Sequence, residues 1–148
     1  MSHADKHLKA SEVWRLMSDF STLQFRSKSG ALRDLGLTPG HMKALMTLEP
    51  GEPRPMGSCA HELGCDASTA TWLIDRLEER GLVERQPSPT DRRVKGVVLT
   101  ELGAATRAQL HEHYYEPPAA LLELDEDALE GMLRVFTRLS AEVAAPAQ

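Results

Sequence analysis

At 148 residues, 41% hydrophobic and 26% charged, the chain has the length for one domain with its own core. No apolar run is long enough to span a bilayer and no signal-peptide pattern opens the sequence, so a cytoplasmic protein without a membrane partner is expected. The formal net charge of −5 does not exclude nucleic acid, because residues 116–148 alone carry seven acidic side chains against two Arg, and the rest of the chain is balanced at 15 of each sign.

Residues from about Lys6 to Ala31 carry Leu8, Val13, Leu16, Met17, Phe20 and Leu23 at mixed helical spacing and predict a long first helix. Thr38-Pro39 is a cap followed by a first-turn proline, so a second helix is expected over His41 to Leu48, stopped by Pro50-Gly51. A short third helix starts near Ser58, uses Ala60 and Leu63 as its apolar side, and ends at Gly64. Asp66 follows as the N-cap of a fourth helix, which Gly81 ends as a left-handed C′ residue. Ala70, Leu73, Ile74 and Leu77 form its buried stripe; Ser68, Thr69, Thr71, Trp72, Asp75, Arg76 and Glu79 face away. Two helices joined by so short a Gly-containing turn cross steeply, which is the helix-turn-helix arrangement. Leu82 to Arg85 and Val97 to Leu99 read as paired strands, with Pro87, Ser88 and Pro89 in the loop between them. That loop carries Asp91, Arg92, Arg93 and Lys95, a local surplus of positive charge, and reads as a wing. Thr100 caps a long helix to about Tyr115, Pro117-Pro118 break or kink it, and Asp125 opens a last helix with Leu129, Leu133, Phe136 and Leu139 on one side. One helix and one basic hairpin side by side are the two tools needed to grip duplex DNA.

Leu77-x-x-Arg80-Gly81-Leu82-Val83-x-Arg85, followed by Asp91-x-Arg93 and then Leu99-Thr100, resembles the multiple-antibiotic-resistance regulator (MarR) family of bacterial transcription factors. Asp75-Arg76-Leu77-Glu78 fits the ending of that family's recognition helix, and the flanking helices fit in length and order over nearly the whole chain. The resemblance implies a mainly α fold with a small β-hairpin wing. A winged helix-turn-helix lobe at about residues 38–100 would join helical dimerisation parts at about 6–35 and 101–145 in a single domain. It further implies a nucleoid-associated homodimer that binds an imperfect palindromic operator in duplex DNA and is released by a small lipophilic or phenolic ligand. The DNA-contacting set is then Ser68, Thr69, Thr71, Trp72, Arg76, Arg92, Arg93 and Lys95, with Asp91 fixing Arg93 by a charge-assisted hydrogen bond. The family's ligand cleft, between dimer helices and DNA-binding lobe, would be lined by Phe20, His41, Met42 and Met46, although methionines at that spacing are often plain core.

Many members of the family carry Arg where this chain has Trp72, and an indole cannot make the bidentate contact to guanine that Arg makes. Trp72 is therefore expected to be exposed and to read DNA by packing on a thymine methyl, or by donating its N–H to a phosphate. The competing expectation is that it tucks against the wing or the preceding helix. Cys59 and Cys65 fall at apolar positions of the pattern and are expected as buried structural thiols, with a redox sensor as the alternative. His111 and His113 are two apart, so they lie on different faces of a helix, and no acidic cluster completes a tetrahedral site; no metal and no cofactor are expected. No catalytic triad, glycine-rich phosphate loop or paired-carboxylate motif is present, which leaves a regulator and not an enzyme. The other readings are a metal- or oxidant-sensing regulator of the same fold, or a winged-helix interaction module without DNA binding. Arg92 and Arg93 weigh against the last.

Overall fold

A reciprocal capping box opens the chain. The Ser2 hydroxyl accepts from the Asp5 N–H, the Asp5 carboxylate accepts from the Ser2 N–H, and α1 (His3–Asp34) runs from there for 32 residues. Both its ends lie beyond the expected span, because the cap lies ahead of the first apolar residue and nothing breaks the helix before Gly36. Thr38 and His41 form a second box at the head of α2 (Pro39–Met46), which ends two residues earlier than expected. Strand β1 (Arg54–Pro55) leads straight into α3 (Met56–Leu63), and Gly64 ends that helix in the left-handed region at φ +65°. The Asp66 side chain accepts from the Thr69 N–H at the head of α4 (Ala67–Glu79), and β2 (Val83–Pro87), β3 (Lys95–Leu99) and α5 (Glu101–Tyr115) follow. These elements belong to one compact unit that ends at Tyr115; a second, from Glu116 onward, holds α6 (Ala119–Leu122) and α7 (Glu126–Ala144). The structure is a computed structural model that describes residues 2–88 and 90–144.

The sheet has three antiparallel strands in the order β1-β3-β2, with Val83 opposite Leu99, Pro87 opposite Lys95 and Arg54 opposite Val97. Two corrections follow. The strand β1 was not anticipated, and Pro87 closes the β2 ladder where a loop was expected. The proline is tolerated because β2 is an edge strand, where a missing N–H costs no second partner. The Ser88 N–H then donates to the Val94 carbonyl at 2.7 Å and shuts the hairpin. Pro89, also expected in this loop, lies outside the described residues.

The α4 stripe of Ala70, Leu73, Ile74 and Leu77 is buried as expected, against Leu45 and Leu48, Cys59 and Leu63, and Val83 and Val97 of the sheet. Each fully buried Leu or Ile contributes roughly 1.5–3 kcal/mol. Leu32 of α1 and Leu110 of α5 complete this core. The head of α5 is bound tightly to the chain that follows α4. The Thr100 hydroxyl donates to the Gly81 carbonyl at 2.5 Å and accepts from the Gly103 N–H at 3.0 Å. In the second unit Asp125 accepts from the Ala128 N–H at 2.8 Å and starts α7, as expected; α6 was not foreseen. Among the described residues, no helix is long and apolar enough to cross a membrane.

Candidate nucleic-acid interface

Because the α4 stripe is fully committed to the core, the opposite face of the helix is free. Ser68, Thr69, Thr71, Trp72 and Arg76 are all exposed there. Thr69 is partly spent on the cap: its N–H and its hydroxyl both donate to Asp66, at 2.8 and 3.1 Å. Those two bonds hold the Asp66 carboxyl below the usual carboxylate range. The Arg76 guanidinium rests on Glu79 at 2.7 Å in an exposed pair, which is weak enough to be exchanged for a phosphate.

Trp72 is 49% exposed. Its covered side lies over His41 of α2, with ring centroids 5.5 Å apart and planes tilted by 30°. The indole is exposed, as expected, and the support of its covered side by the second helix was not anticipated. It leans on the second helix because α2 and α4 pack closely, with Gly40 facing Leu73.

Arg92 and Arg93 sit in the turn closed by the Val94 N–H donating to the Asp91 carbonyl at 3.0 Å, and both are exposed, as is Lys95 at the start of β3. Asp91 does fix Arg93, but through the main chain: its carboxylate accepts the Arg93 N–H at 2.9 Å. This bond from the main chain to a carboxylate is charge-assisted, and it shapes the turn. Neither guanidinium has a partner among the described residues.

Wing and helix are tied together by Arg85. From β2 its guanidinium reaches Asp75 at 2.5 Å and also Glu78, both on α4, and the Asp75 hydrogen bond is the main reason its positive charge is further stabilised. Asp75, read from sequence as part of the outward face, is thus committed to the wing strand. At the end of α4, Arg80 donates to the Leu35 carbonyl at 2.9 Å and packs over Gly36, which is left-handed at φ +62°.

The expected ligand-cleft residues do not converge. A cleft between α1, α2 and α5 is lined chiefly by Phe25, Lys28, Leu32, Met42, Leu110 and Tyr114, and its cavity volume is about 10 Å³, room for roughly one water. Only Met42 of the four expected residues is there. Phe20 lies exposed earlier on α1, Met46 packs against the core, and His41 is turned toward α4.

His41 is only 5% exposed. Its Nδ1 accepts the Thr38 N–H at 3.0 Å and lies 2.9 Å from the Thr38 hydroxyl, and its Nε2 is buried without a partner among the described residues. Burial, then the charges of Arg80 and Arg76, push its pKa below the ordinary 6.5. The unfolded chain therefore takes up the proton first as pH falls. The stability due to a neutral His41 is complete above about pH 6.5 and is lost below it, down through the folded value. Urea midpoints across about pH 5 to 8 should show this loss on the acid side, and His41→Gln should flatten it. A parent profile no steeper than that of His41→Gln would contradict it.

Cys59 is fully buried and its thiol is pushed up by burial, so it is a poor nucleophile; Cys65 is half-buried against the core, and both are free thiols. No His pair at i, i+4 was expected, but His3 and His7 stand one turn apart on α1; no group of three His, Cys, Asp or Glu among the described residues could hold a metal ion.

Comparison with known proteins agrees with this geometry. The MarR family model matches residues 37–95. The transcriptional repressor MprA of Escherichia coli K12 is 29% identical over 140 residues, 89% of this chain and 78% of that protein. Among solved structures, a MarR family protein from Bacillus stearothermophilus shares the fold with a TM-score of 0.81 at 22% identity, over 94% of this chain and 98% of the other. The transcriptional repressor CouR, bound to a 23-mer DNA duplex, gives a TM-score of 0.64 at 25% identity, over 84% of this chain and 89% of the other.

Proposed function

This chain belongs to the MarR family of transcription regulators, and we propose that it is a homodimeric repressor that grips an imperfect palindromic operator through α4 and the wing. The observation that carries this reading is one surface on which an exposed polar helix face and two Arg without a partner among the described residues are tied together by the Arg85 ion pairs. A tied pair of elements meets DNA with its spacing already set, so little ordering is lost on binding. CouR on its duplex shows that a protein of this fold and similar sequence binds DNA. In this reading α4 enters the major groove, where Ser68, Thr69, Thr71 and Trp72 face bases, and Arg76, Arg92 and Lys95 face phosphates. Selection of bound sequences from random duplex DNA tests it. An enriched palindrome with half-sites about 10 base pairs apart is expected, and no enrichment would count against the reading.

Arg93, at the wing tip, suits a narrow minor groove, where negative potential concentrates. Arg93→Ala should weaken binding broadly across sequences and lower the salt slope by about one. A mutant with parental affinity and slope would remove the wing from the interface. Trp72→Ala should leave thermal stability within about 1 kcal/mol, as for a surface change, yet weaken operator binding. A larger stability loss with operator affinity intact per folded molecule would make Trp72 a packing residue.

Release by a small lipophilic or phenolic ligand belongs to the same reading. The cleft at Phe25, Leu32, Met42 and Leu110 supplies apolar walls, but at a cavity volume of about 10 Å³ it admits a ring only if α1, α2 and α5 part to widen it. Moving α2 moves the helix against which α4 packs.

A further inference from the structure

We infer that His41 is a positioning residue for DNA recognition, a buried platform that holds the Trp72 indole in place on the outer face of α4 and so sets base preference without touching DNA. This rests on the reading of α4 as the DNA-facing helix. The local sequence makes the platform rigid. His41 occupies the third position of the α2 capping box, where Glu or Gln is usual. The Thr38 N–H donates to its Nδ1, which places the ring hydrogen on Nε2. With one nitrogen held by the cap and the ring buried to 5% exposure, the imidazole has no freedom to turn. The cost is a buried Nε2 donor with no partner among the described residues, which a Gln in this box need not leave.

What the ring contributes lies on its face. Its centroid is 5.5 Å from that of Trp72 at a 30° tilt, within the range of attractive aromatic pairs, and the rest of the indole stays open to solvent. The close approach of the two helices permits the contact: a Cβ on Gly40 would lie 3.2 Å from Leu73 Cδ2. Burial first, and then the charges of Arg80 and Arg76, disfavour protonation of His41 and so favour a neutral ring against the indole. Readout by apolar contact has no directional hydrogen bond to steer it. An indole free to change rotamer would lose that freedom on binding and would meet several bases equally well; one already held loses little and meets one.

The test uses the full-length protein, the selected operator and a scrambled duplex. His41→Gln keeps a carbonyl for the Thr38 N–H and removes the ring face; His41→Phe keeps a ring face and removes the acceptor. Acrylamide quenching assigned to Trp72, by difference from Trp72→Phe, should rise in His41→Gln and stay near the parent in His41→Phe. The preference for operator over scrambled duplex should fall about tenfold in His41→Gln, the scale of one base contact, with scrambled-duplex affinity unchanged and with recovery in His41→Phe despite its weaker cap. Unchanged quenching in His41→Gln overturns the proposal, since the ring then does not hold the indole. Raised quenching with full preference also overturns it, and if Trp72→Ala still loses preference, the DNA reading of Trp72 survives. Full preference in Trp72→Ala itself overturns that reading and the proposal with it.

Discussion

Gly103→Ala is expected to cost about 3 kcal/mol or more of folding stability, the upper range for overpacking a well-packed site. A Cβ at Gly103 would lie 1.7 Å from the Leu82 carbonyl oxygen, 2.7 Å from its carbonyl carbon and 3.2 Å from its Cα. All three are backbone atoms, so no side-chain rotation relieves the clash. Moving Leu82 is costly as well, because its side chain is in the core and its carbonyl accepts the Thr100 N–H at 3.1 Å. Moving α5 instead withdraws Leu110 from that core and strains the Thr100 bonds to Gly81 and Gly103. Urea denaturation should show a much lower midpoint with little change in slope. Gly30→Ala is the matched control: it too lies in a helix, nothing stands within 4 Å of its Cβ, and it should stabilise by about 0.5–1 kcal/mol. Equal midpoints for the two variants would mean that α5 does not pack on Leu82 as described.

The close contact at Gly103 could not be read from the sequence, and the reason is general to this chain. Features set within one helix were legible: the Asp66 cap, the stripe from Ala70 to Leu77, and the glycines that end α3 and follow α4. Each depends on neighbours a turn away. The winged helix-turn-helix fold followed from their order and from the Arg80-Gly81 and Asp91-x-Arg93 motifs. Strand β1 was missed because two residues show no period, and α6 because a four-residue helix shows none either. The partners of side chains were missed when they came from distant segments. Asp75 has the outward position that periodicity gave it, but Arg85, from β2, claims its carboxylate. His41 was read as lining a ligand cleft; it faces Trp72 across the α2–α4 contact. Phe25 lines the cleft between α1, α2 and α5, and Phe20 lies outside that cleft. Along α1 apolar residues are spread around the helix, so its sequence does not say which side meets α5.

Charging the exposed stripe of α7 is expected to turn a dimer into a monomer and to weaken operator binding by about 100-fold or more, the loss of avidity when two linked sites become one. Met132, Phe136, Leu139 and Val143 recur at helical spacing and are all exposed in the single chain, as are Leu8, Val13, Trp14, Leu16 and Leu23 of α1. Soluble monomers rarely leave such runs open to water, and a second copy related by two-fold symmetry is the commonest way to cover them. Phe136→Glu together with Leu139→Glu would place two carboxylates in that interface, where they lose water and gain no partner. Both positions face solvent in the free helix, so helix content by circular dichroism should be kept. Analytical ultracentrifugation at micromolar concentration should then give a dimer for the parent and a monomer for the variant. A monomer retains one recognition helix and one wing, so it should still bind DNA weakly, with about half the parental salt slope and little discrimination between one half-site and two. A monomeric parent, or a dimeric variant with full operator affinity, would show that α7 is not where two copies meet.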